Sequence, residues 1–436
     1  MQIYSKHNIL AKIKDSKSYI LVNPLYNQAD IIDEALAMRI KNNELNIPEL
    51  VDKNYIILEE DEKKIYRKAY LDFIDQRESD EVQLFFVPSY ACNFSCTYCY
   101  QSDYDYTKNP LNKEIIDAFF SYILKEFVGK QYYITLFGGE PLLSGEKHRT
   151  QIEYFLSKTK EYNIPIAIVT NGYTLTEYID TLKAQNIKEI QVTLDGPAPI
   201  HNKRRKLNNG DDSFSKISKG IDACLSNNIE VNLRVVVDKE NINSLPELAQ
   251  YAKDMQWTKN PLFKTQLGRN YELHYCQEKP DALFTRINMY EELYELIKQY
   301  PILLEFHKPA FSISKYLFEN GELPGPLFDS CPGCKTEWAF DYSGQIYSCT
   351  ATVGKPGEEL GKFYPNVIRY DDKISEWQNR DVLSINKCKE CNLQLTCGGG
   401  CASVAKNQSN SICSPDCRPT NDLISIGIAN YFTNKL

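Results

Sequence analysis

The sequence lacks three features that would point to a membrane or to nucleic acid. It contains no run of 18 apolar residues, and its start, MQIYSKHNIL, lacks the apolar stretch of a secretory signal peptide. It has no excess of positive charge, because the formal net charge at pH 7 is −8. A basic surface for nucleic acid or for an anionic membrane is therefore not predicted. We expect a cytoplasmic protein with no nucleic-acid partner and no membrane partner.

The remaining composition is that of a globular protein with an excess of cysteine. The chain has 436 residues, of which 42% are hydrophobic and 25% are charged, and this length suits two or three domains. It contains 14 cysteines. In a reducing compartment, so many thiols favour metal or iron–sulfur binding over a disulfide framework.

Most of the cysteines form three groups with regular intervals. The first group is Cys92-x3-Cys96-x2-Cys99, the second is Cys334-x9-Gly344-x4-Cys349 with Cys331 just before it, and the third is Cys388-x2-Cys391-x5-Cys397-x3-Cys401 with Cys413 and Cys417 after it. Thiolates at such intervals bind iron–sulfur clusters or zinc. For the second and third groups, spacing alone leaves structural zinc as an alternative.

The first group has no fourth cysteine nearby, and this absence is informative. Three thiolates leave one iron of a four-iron cluster without a protein ligand. Structural metal sites are closed, whereas catalytic sites keep one position open. The first group therefore predicts a catalytic cluster that is completed by another molecule.

Around the first group, the chain alternates between predicted strands and helices. Runs rich in β-branched and aromatic residues predict strands at 81–88, 132–137, 164–170, 189–195, 230–238 and 261–267. Helical spacing of apolar residues predicts helices at 112–127, near 147–160, from 174, at 214–228 and near 244–255. This alternation predicts a parallel α/β sheet or barrel, and the loops CNFSCTYC, GGEP, TNG and LDGP would meet at its carboxyl edge.

Four of these sequences, CNFSCTYCY, FGGEP, VTNG and VTLDGP followed by HNKRR, resemble the motifs of radical S-adenosylmethionine (radical SAM) enzymes, in order over residues 82–270. The resemblance implies an α/β fold, a partial (β/α)6 barrel that holds a 4Fe–4S cluster through Cys92, Cys96 and Cys99. In that family SAM binds the open iron. Its reductive cleavage gives a 5′-deoxyadenosyl radical, which abstracts hydrogen from the substrate.

The same resemblance implies a set of residues that bind SAM, while no catalytic base can be assigned. The set is Tyr98 beside the cluster, Gly139 through its backbone, Glu140 at the ammonium group, Thr193, Arg205 at the carboxylate and Asn171 as a candidate for the ribose. Two of these assignments have structural alternatives. Glu140 is also placed to cap a helix, and HNKRRK (201–206) also has the composition of a solvated basic turn.

The second and third groups resemble the SPASM extension of radical SAM enzymes that modify peptides and proteins. The resemblance implies two auxiliary 4Fe–4S clusters, and hence three clusters in all. Cys331, Cys334, Cys349 and Cys401 would hold the first auxiliary cluster, and Cys388, Cys391, Cys397 and Cys417 the second. Cys417 is preferred to Cys413 because CRPTND resembles the segment that carries the last ligand. If Cys331 is not a ligand, an open iron there would bind substrate.

The N-terminal residues form a separate predicted module of strands and helices. It resembles the small α+β winged-helix module that grips the leader of a precursor peptide, and an inert cap is the alternative. The predicted organisation is this module at 1–80, the radical SAM barrel at 81–270, a helical connection at 271–330 and the SPASM domain at 331–436.

These resemblances predict a peptide-modifying oxidoreductase that forms a thioether or carbon–carbon crosslink in a ribosomally synthesised peptide. Its partners would be a precursor peptide with a leader and an external electron donor such as flavodoxin or ferredoxin. The enzymatic alternative is anaerobic sulfatase maturation, which oxidises Cys or Ser to formylglycine. Those enzymes carry an aspartate after the cysteine that matches Cys349, where this chain has Thr350. An alternative of another class is a non-catalytic peptide-binding or electron-carrier protein. The GGE motif and Arg205 argue against it, because such a protein has no need of a SAM pocket.

Overall fold

The structure, a computed structural model, describes residues 1–101, 104, 110–270 and 280–433. Cys276, which belongs to none of the three cysteine groups, lies outside the described residues, as does the start of the predicted helical connection. None of the helices within the described ranges is long and apolar enough to cross a bilayer.

The N-terminal segment forms two small antiparallel sheets and three helices. Its elements are β1 (Gln2–Tyr4), β2 (Ile9–Lys12), β3 (Tyr19–Asn23), β4 (Gln28–Ile32), α1 (Glu34–Lys41), α2 (Pro48–Asp52), β5 (Ile56–Leu58) and α3 (Glu59–Ser79). Strand β3 lies between β2 and β4, and β1 pairs with β5. Helix α1 begins where the Asp33 side chain accepts a hydrogen bond from the Leu36 N–H at 2.7 Å, the usual N-cap arrangement.

A ten-stranded sheet runs through the rest of the described chain, and six of its strands are the predicted ones. They are β6 (Val82–Val87), β8 (Tyr132–Leu136), β9 (Ile166–Thr170), β10 (Ile187–Thr193), β12 (Val231–Val237) and β13 (Phe263–Arg269), while β7 (Phe94–Cys96) and β11 (Arg205–Leu207) form a separate pair. The six strands are parallel, in the order β13-β12-β10-β9-β8-β6. Their carboxyl ends therefore share one edge, as predicted.

The predicted helices cover this sheet. They are α4 (Lys113–Glu126), α5 (Glu146–Glu161), α6 (Leu175–Leu182), α8 (Phe214–Ser226) and α9 (Leu245–Asp254), with the short α7 (Ala198–Arg204) before β11. Asn112 caps α4 through a hydrogen bond from the Ile115 N–H at 2.9 Å. The apolar face of α4 buries Phe119, which stacks on Phe155 of α5 with ring centroids 5.8 Å apart. Cys224, which belongs to none of the three cysteine groups, is fully buried on α8.

The C-terminal part of the chain continues the same sheet. Its elements are α10 (Arg286–Gln299), α11 (Leu303–Phe306), α12 (Ser314–Asn320), β14 (Glu337–Asp341), β15 (Gln345–Tyr347), β16 (Gly361–Lys362), β17 (Ile368–Arg369), α13 (Asp371–Gln378), α14 (Asn386–Lys389), α15 (Gln394–Cys397), α16 (Ala402–Ser409) and α17 (Thr420–Tyr431). Strand β14 pairs in parallel with β6, so that Glu337 lies opposite Gln83, and β15 to β17 follow antiparallel. The sequence does not predict this long-range pairing.

Helix α3 joins the N-terminal segment to the C-terminal part. Tyr66, Tyr70 and Phe73 of α3 surround the buried Phe328, with ring centroids 5.1 to 5.6 Å apart. The Tyr66 hydroxyl donates to Gln394 Oε1 at 2.8 Å. This contact places α3 beside the third cysteine group, because Cys388 belongs to the same apolar cluster.

Candidate active site

The first cysteine group lies in the loop that follows β6. Strand β7 in this loop pairs antiparallel with β11, so that Arg205 lies directly opposite Cys96. Cys92, Cys96 and Cys99 are half-buried. Burial raises the pKa of Cys92 to about 12 and that of Cys96 to about 11, and the Arg205 guanidinium opposes the shift at Cys96. Thiolates in such a place require positive partners, which a bound metal centre supplies.

The GGEP loop after β8 is pressed against the backbone of the cysteine loop. The Gly139 N–H donates to the Ser89 carbonyl at 3.1 Å, and the Glu140 N–H donates to the Ala91 carbonyl at 2.9 Å. A Cβ atom on Gly139 would lie 2.2 Å from the Ala91 carbonyl oxygen. Glycine is therefore required at this position by the close approach of the two loops.

Glu140 is fully buried and braces two loops. One carboxylate oxygen accepts from the Thr170 hydroxyl at 2.7 Å and from the Leu142 N–H at 2.8 Å, and the other accepts from the Asn171 N–H at 2.6 Å. Burial raises the pKa of Glu140, and these hydrogen bonds oppose the shift. The carboxylate links the loop after β8 to the end of β9 and does not cap a helix. Its contact with the SAM ammonium group stays a prediction.

Tyr98 and Arg205 form a polar pair beside the cysteines. The Tyr98 hydroxyl accepts from Arg205 Nη1 at 2.7 Å and donates to Asp195 Oδ2 at 2.5 Å. The Nε of Arg205 is buried and has no hydrogen-bond partner within the described chain. Because a buried donor without an acceptor costs about 1–3 kcal/mol, this guanidinium is poised for an added anion. Arginine binds carboxylates and phosphates through charge-assisted hydrogen bonds.

The neighbouring Arg204 is buried in an ion-pair network. Its Nη1 donates to Asp238 Oδ1 at 2.8 Å, and its Nε donates to Asp195 Oδ2 at 3.4 Å. Helix α7 and strand β11 fold the HNKRRK segment back onto the cysteine loop. The alternative interpretation of this segment as a solvated basic turn is therefore wrong for both arginines.

A cavity of about 300 Å³ lies between the cysteine loop and the carboxyl ends of the parallel strands, within the range of small-molecule sites. Of the predicted residues, it is lined by Cys92, Cys96, Cys99, Tyr98, Gly139, Asn171, Thr193 and Arg205. Lining residues that were not predicted include Phe137, Gln191, Arg234, Val236, Arg269, Asn270 and Thr350. The alternation of side chains along β10 could have indicated one of them, Gln191, because it precedes Thr193 by two positions and so shares its face of the strand. Glu140 lies behind the lining.

Comparison with known proteins identifies this arrangement. Residues 86–252 match the model of the radical SAM superfamily. The chain contains a radical SAM domain. Over 343 residues it is 23% identical to the cysteine-type anaerobic sulfatase-maturating enzyme of Clostridium perfringens. The aligned region covers 74% of this chain and 89% of that protein.

Two solved structures share the radical SAM fold of this chain, with its mostly parallel central sheet. Native anSMEcpe with bound AdoMet matches with a TM-score of 0.62 and 19% identity, over 81% of this chain and 97% of that one. Streptococcus suis SuiB bound to the precursor peptide SuiA matches with a TM-score of 0.52 and 14% identity, over 96% of this chain and 99% of that one.

A radical SAM enzyme requires a 4Fe–4S cluster and SAM, and the residues at the cavity fit both groups. Three thiols line the cavity, and the buried Nε of Arg205, which lines it too, lacks an acceptor among the described residues. Gly139 keeps the GGEP loop close to the cysteine loop and also lines the cavity. These residues therefore fit a three-cysteine cluster beside a carboxylate-bearing cosubstrate, and their individual roles stay predictions.

The structure brings the second cysteine group together with Cys401. Burial raises the pKa of Cys334, and the nearby thiols of Cys349 and Cys331 raise it further. Burial and the Glu337 carboxylate raise the pKa of Cys349, with smaller contributions from Cys331 and Cys401. These four cysteines are the set predicted for the first auxiliary cluster, and their role as ligands stays a prediction.

The remaining predicted ligands form a second group. Burial raises the pKa of Cys388 to about 11, and Cys397, Cys391 and Cys417 add to the shift. Burial also raises the pKa of Cys417, again with Cys397 and Cys391 adding to it. Cys417 therefore lies near this group, and it is exposed, as is Cys413, which is outside the predicted set.

Within the described ranges, no three Cys, His, Asp or Glu side chains are placed to hold one metal ion together. The cysteines of a 4Fe–4S cluster bind different iron atoms, so they do not have to converge on one point.

A buried arginine that was not predicted holds the loops of both auxiliary groups. Arg380 is fully buried. Its guanidinium donates to the carbonyls of Gly399 at 2.9 Å, Gly400 at 3.1 Å and Ser414 at 3.1 Å, and also to that of Ile412. The three glycines 398–400 between Cys397 and Cys401 all have positive φ, from 60° to 75°. Arg380 thus fixes a backbone that only glycine adopts at low cost.

Proposed function

We propose that this radical SAM enzyme modifies a ribosomally synthesised peptide by forming a thioether or carbon–carbon crosslink. One observation carries the proposal. The likeness to SuiB, which was solved with its precursor peptide, covers 96% of the chain, while the likeness to anSMEcpe covers 81%. The additional stretch of this chain that the likeness to SuiB covers is about as long as the N-terminal segment. This segment is the part expected to hold a leader peptide.

The N-terminal segment offers a surface suited to such a peptide. Strand β4 is an edge of its three-stranded sheet. A groove of about 480 Å³ runs beside it, lined by Ala29 and Ile31 of β4 and by Phe318 and Tyr431 of the C-terminal half. An extended leader would add to β4 as a fourth strand, with its apolar side chains in the groove.

At the active site, each residue has a proposed role. Cys92, Cys96 and Cys99 would hold the cluster, which together with SAM supplies the one-electron chemistry for hydrogen abstraction. Arg205 binds the carboxylate of the cosubstrate, and the Tyr98 hydroxyl holds Arg205 in place. Glu140 keeps the GGEP loop in register and would accept from the ammonium group. These residues orient the reactants.

The two auxiliary groups complete the proposal. Each set of four cysteines would hold a 4Fe–4S cluster, giving three clusters in the chain. Clusters with four thiolate ligands suit electron transfer, either to or from the substrate. An external donor of the flavodoxin or ferredoxin type would supply the electron for the first cluster.

Anaerobic sulfatase maturation is the second candidate, favoured by the identity to the Clostridium perfringens enzyme. In this chain, Thr350 lines the cavity at the position where those enzymes are expected to carry an aspartate. A threonine hydroxyl does not replace a carboxylate base. The peptide-crosslinking proposal does not require an aspartate there.

The test compares two products of the anaerobically reconstituted enzyme, 5′-deoxyadenosine and modified peptide. The substrates are the short peptides encoded by the reading frames that neighbour its gene. Deleting residues 1–80 is unsuitable, because α3 covers Phe328 and the third cysteine group. Instead, Ile31→Glu places a charge in the groove at a side chain that is 38% exposed. We expect peptide modification to fall at least about tenfold while uncoupled 5′-deoxyadenosine formation persists.

Leu71→Glu is the matched control, because Leu71 is exposed on α3, away from the groove. It should leave both products unchanged. If Ile31→Glu modifies the peptide as well as the native enzyme does, the N-terminal segment is a structural cap. Turnover of a sulfatase-derived peptide, with none of the neighbouring peptide, would favour the second candidate.

A further inference from the structure

Another cavity lies away from the cysteine loop. It measures about 600 Å³ and lies between β13, α10, α15 and the start of α17. Arg269, the last residue of β13, lines both this cavity and the one beside the first cysteine group. The two cavities therefore meet at Arg269, and Cys401 of the first auxiliary group also lines the larger one.

The larger cavity concentrates positive charge. Three arginines line it, Arg269, Arg286 and Arg418, and the described part of the lining includes no carboxylate. Burial raises the pKa of the Tyr290 hydroxyl, and all three guanidinium groups oppose that shift, so each lies within electrostatic range of this hydroxyl.

Two of these arginines are positioned by the fold. Arg286 Nη2 binds Asp416 Oδ2 at 2.7 Å, and the Asp416 carboxylate also accepts from the Cys401 N–H at 3.1 Å. Arg269 Nη1 donates to the Phe284 carbonyl. Arg418 is half-buried, and its side chain has no hydrogen bond or ion pair with the described residues.

The rest of the lining is apolar. It includes Leu267, Met289, Ile313 and Leu423. Apolar walls with a few convergent polar groups are typical of sites that hold a ligand in one orientation. Guanidinium groups in such surroundings bind carboxylates strongly, because the bonds are charge-assisted and partly shielded from water.

We propose that this cavity binds an acidic residue of the peptide substrate, close in sequence to the residue that is modified. The inference rests on the proposed function and adds a specificity to it. An Asp or Glu side chain among the arginines would anchor the peptide, and the adjoining residue would reach the reaction cavity past Arg269. Arg418 is the specificity-determining residue, since its guanidinium has no other described partner.

The test uses two capped peptides, acetyl-Leu-Glu-Ala-Leu-amide and the same peptide with Gln in place of Glu. Binding to the reconstituted holoenzyme is measured anaerobically by isothermal titration calorimetry. We expect the Glu peptide to bind about tenfold more tightly, the effect of one charge-assisted hydrogen bond. Added salt should reduce the preference. Arg418→Gln should abolish it, and Arg418→Lys should retain part of it.

Arg67→Gln removes the same charge from an exposed position on α3 and should keep the full preference. Because Arg418 follows Cys417, the iron content of each variant is measured as well. Leu423→Glu is an independent variant that places a carboxylate in the cavity from the first turn of α17, and it should also abolish the preference.

Equal binding of the two peptides by the native enzyme would overturn the inference, as would a preference that survives both Arg418→Gln and Leu423→Glu. These outcomes differ from a failure of the proposed function. An enzyme that forms 5′-deoxyadenosine and modifies its peptide, yet shows no acidic preference, refutes the inference alone. An enzyme that never modifies a peptide refutes the proposed function.

Discussion

Replacing Arg380 with methionine should destabilise the region that carries both auxiliary cysteine groups. The guanidinium donates to four carbonyls, and one of them, that of Gly399, also accepts from the Asp416 N–H at 3.0 Å. The carbonyls of Gly400, Ile412 and Ser414 would lose their described partner. Each unsatisfied buried group costs about 1–3 kcal/mol, and the desolvation cost of Arg380 itself is no longer incurred. The free energy of unfolding should therefore fall by about 3–5 kcal/mol.

This loss is measurable by thermal unfolding of the anaerobically reconstituted protein, followed by circular dichroism and by iron release. We expect the midpoint of Arg380→Met to fall by several degrees and iron to be lost before the native midpoint. Arg67→Met on the surface of α3 is the control, with an expected change within about 0.5 kcal/mol. If Arg380→Met unfolds at the native temperature with full iron content, the assignment of Arg380 as the organiser of these loops is refuted.

Three further predictions concern the cysteines, the GGEP loop and pH. Replacing Cys92, Cys96 and Cys99 with alanine should lower iron from about twelve to about eight atoms per chain and abolish 5′-deoxyadenosine formation; iron near four in the native enzyme would contradict the three-cluster proposal. Gly139→Ala should reduce 5′-deoxyadenosine formation at least about tenfold, because its Cβ would overlap the Ala91 carbonyl at 2.2 Å; unchanged turnover would show that the loops separate freely. Burial lowers the pKa of His307 to about 4 and that of His7 to about 3, so below about pH 6.5 the unfolded chain binds protons that the folded chain does not. The free energy of unfolding should therefore fall by about 2 kcal/mol for each histidine between pH 7 and pH 5. Urea unfolding at the two pH values checks this, and His307→Asn should remove about half of the difference.

Local patterns were enough to predict the parallel sheet. Six strands and the helices between them appear where apolar runs and helical periodicity place them, because both signals arise within about ten residues of chain. The cysteine intervals are equally local. Their resemblance to the SPASM extension implied which four thiols belong to each auxiliary group, with Cys417 in place of Cys413, and this assignment stays a prediction.

Features that depend on distant contacts were not predictable. Strand β14 pairs with β6 although more than two hundred residues separate them, and no local pattern specifies that partner. The burial of Arg204 follows from Asp195 and Asp238, which lie on other loops. Arg380 is similar, because a single arginine between Asn379 and Asp381 looks like a surface residue until the carbonyls around it are known.

The pairing of β14 with β6 also sets an order of events during synthesis. Strand β6 leaves the ribosome early and finds β8 on one side within about fifty residues. Its other edge stays unpaired until residues 337–341 have been synthesised, when about three quarters of the chain has been made. Until then an apolar edge strand with unpaired N–H and C=O groups is available to other nascent chains. A chain that stops before Glu337 should therefore aggregate even though it contains the whole radical SAM domain.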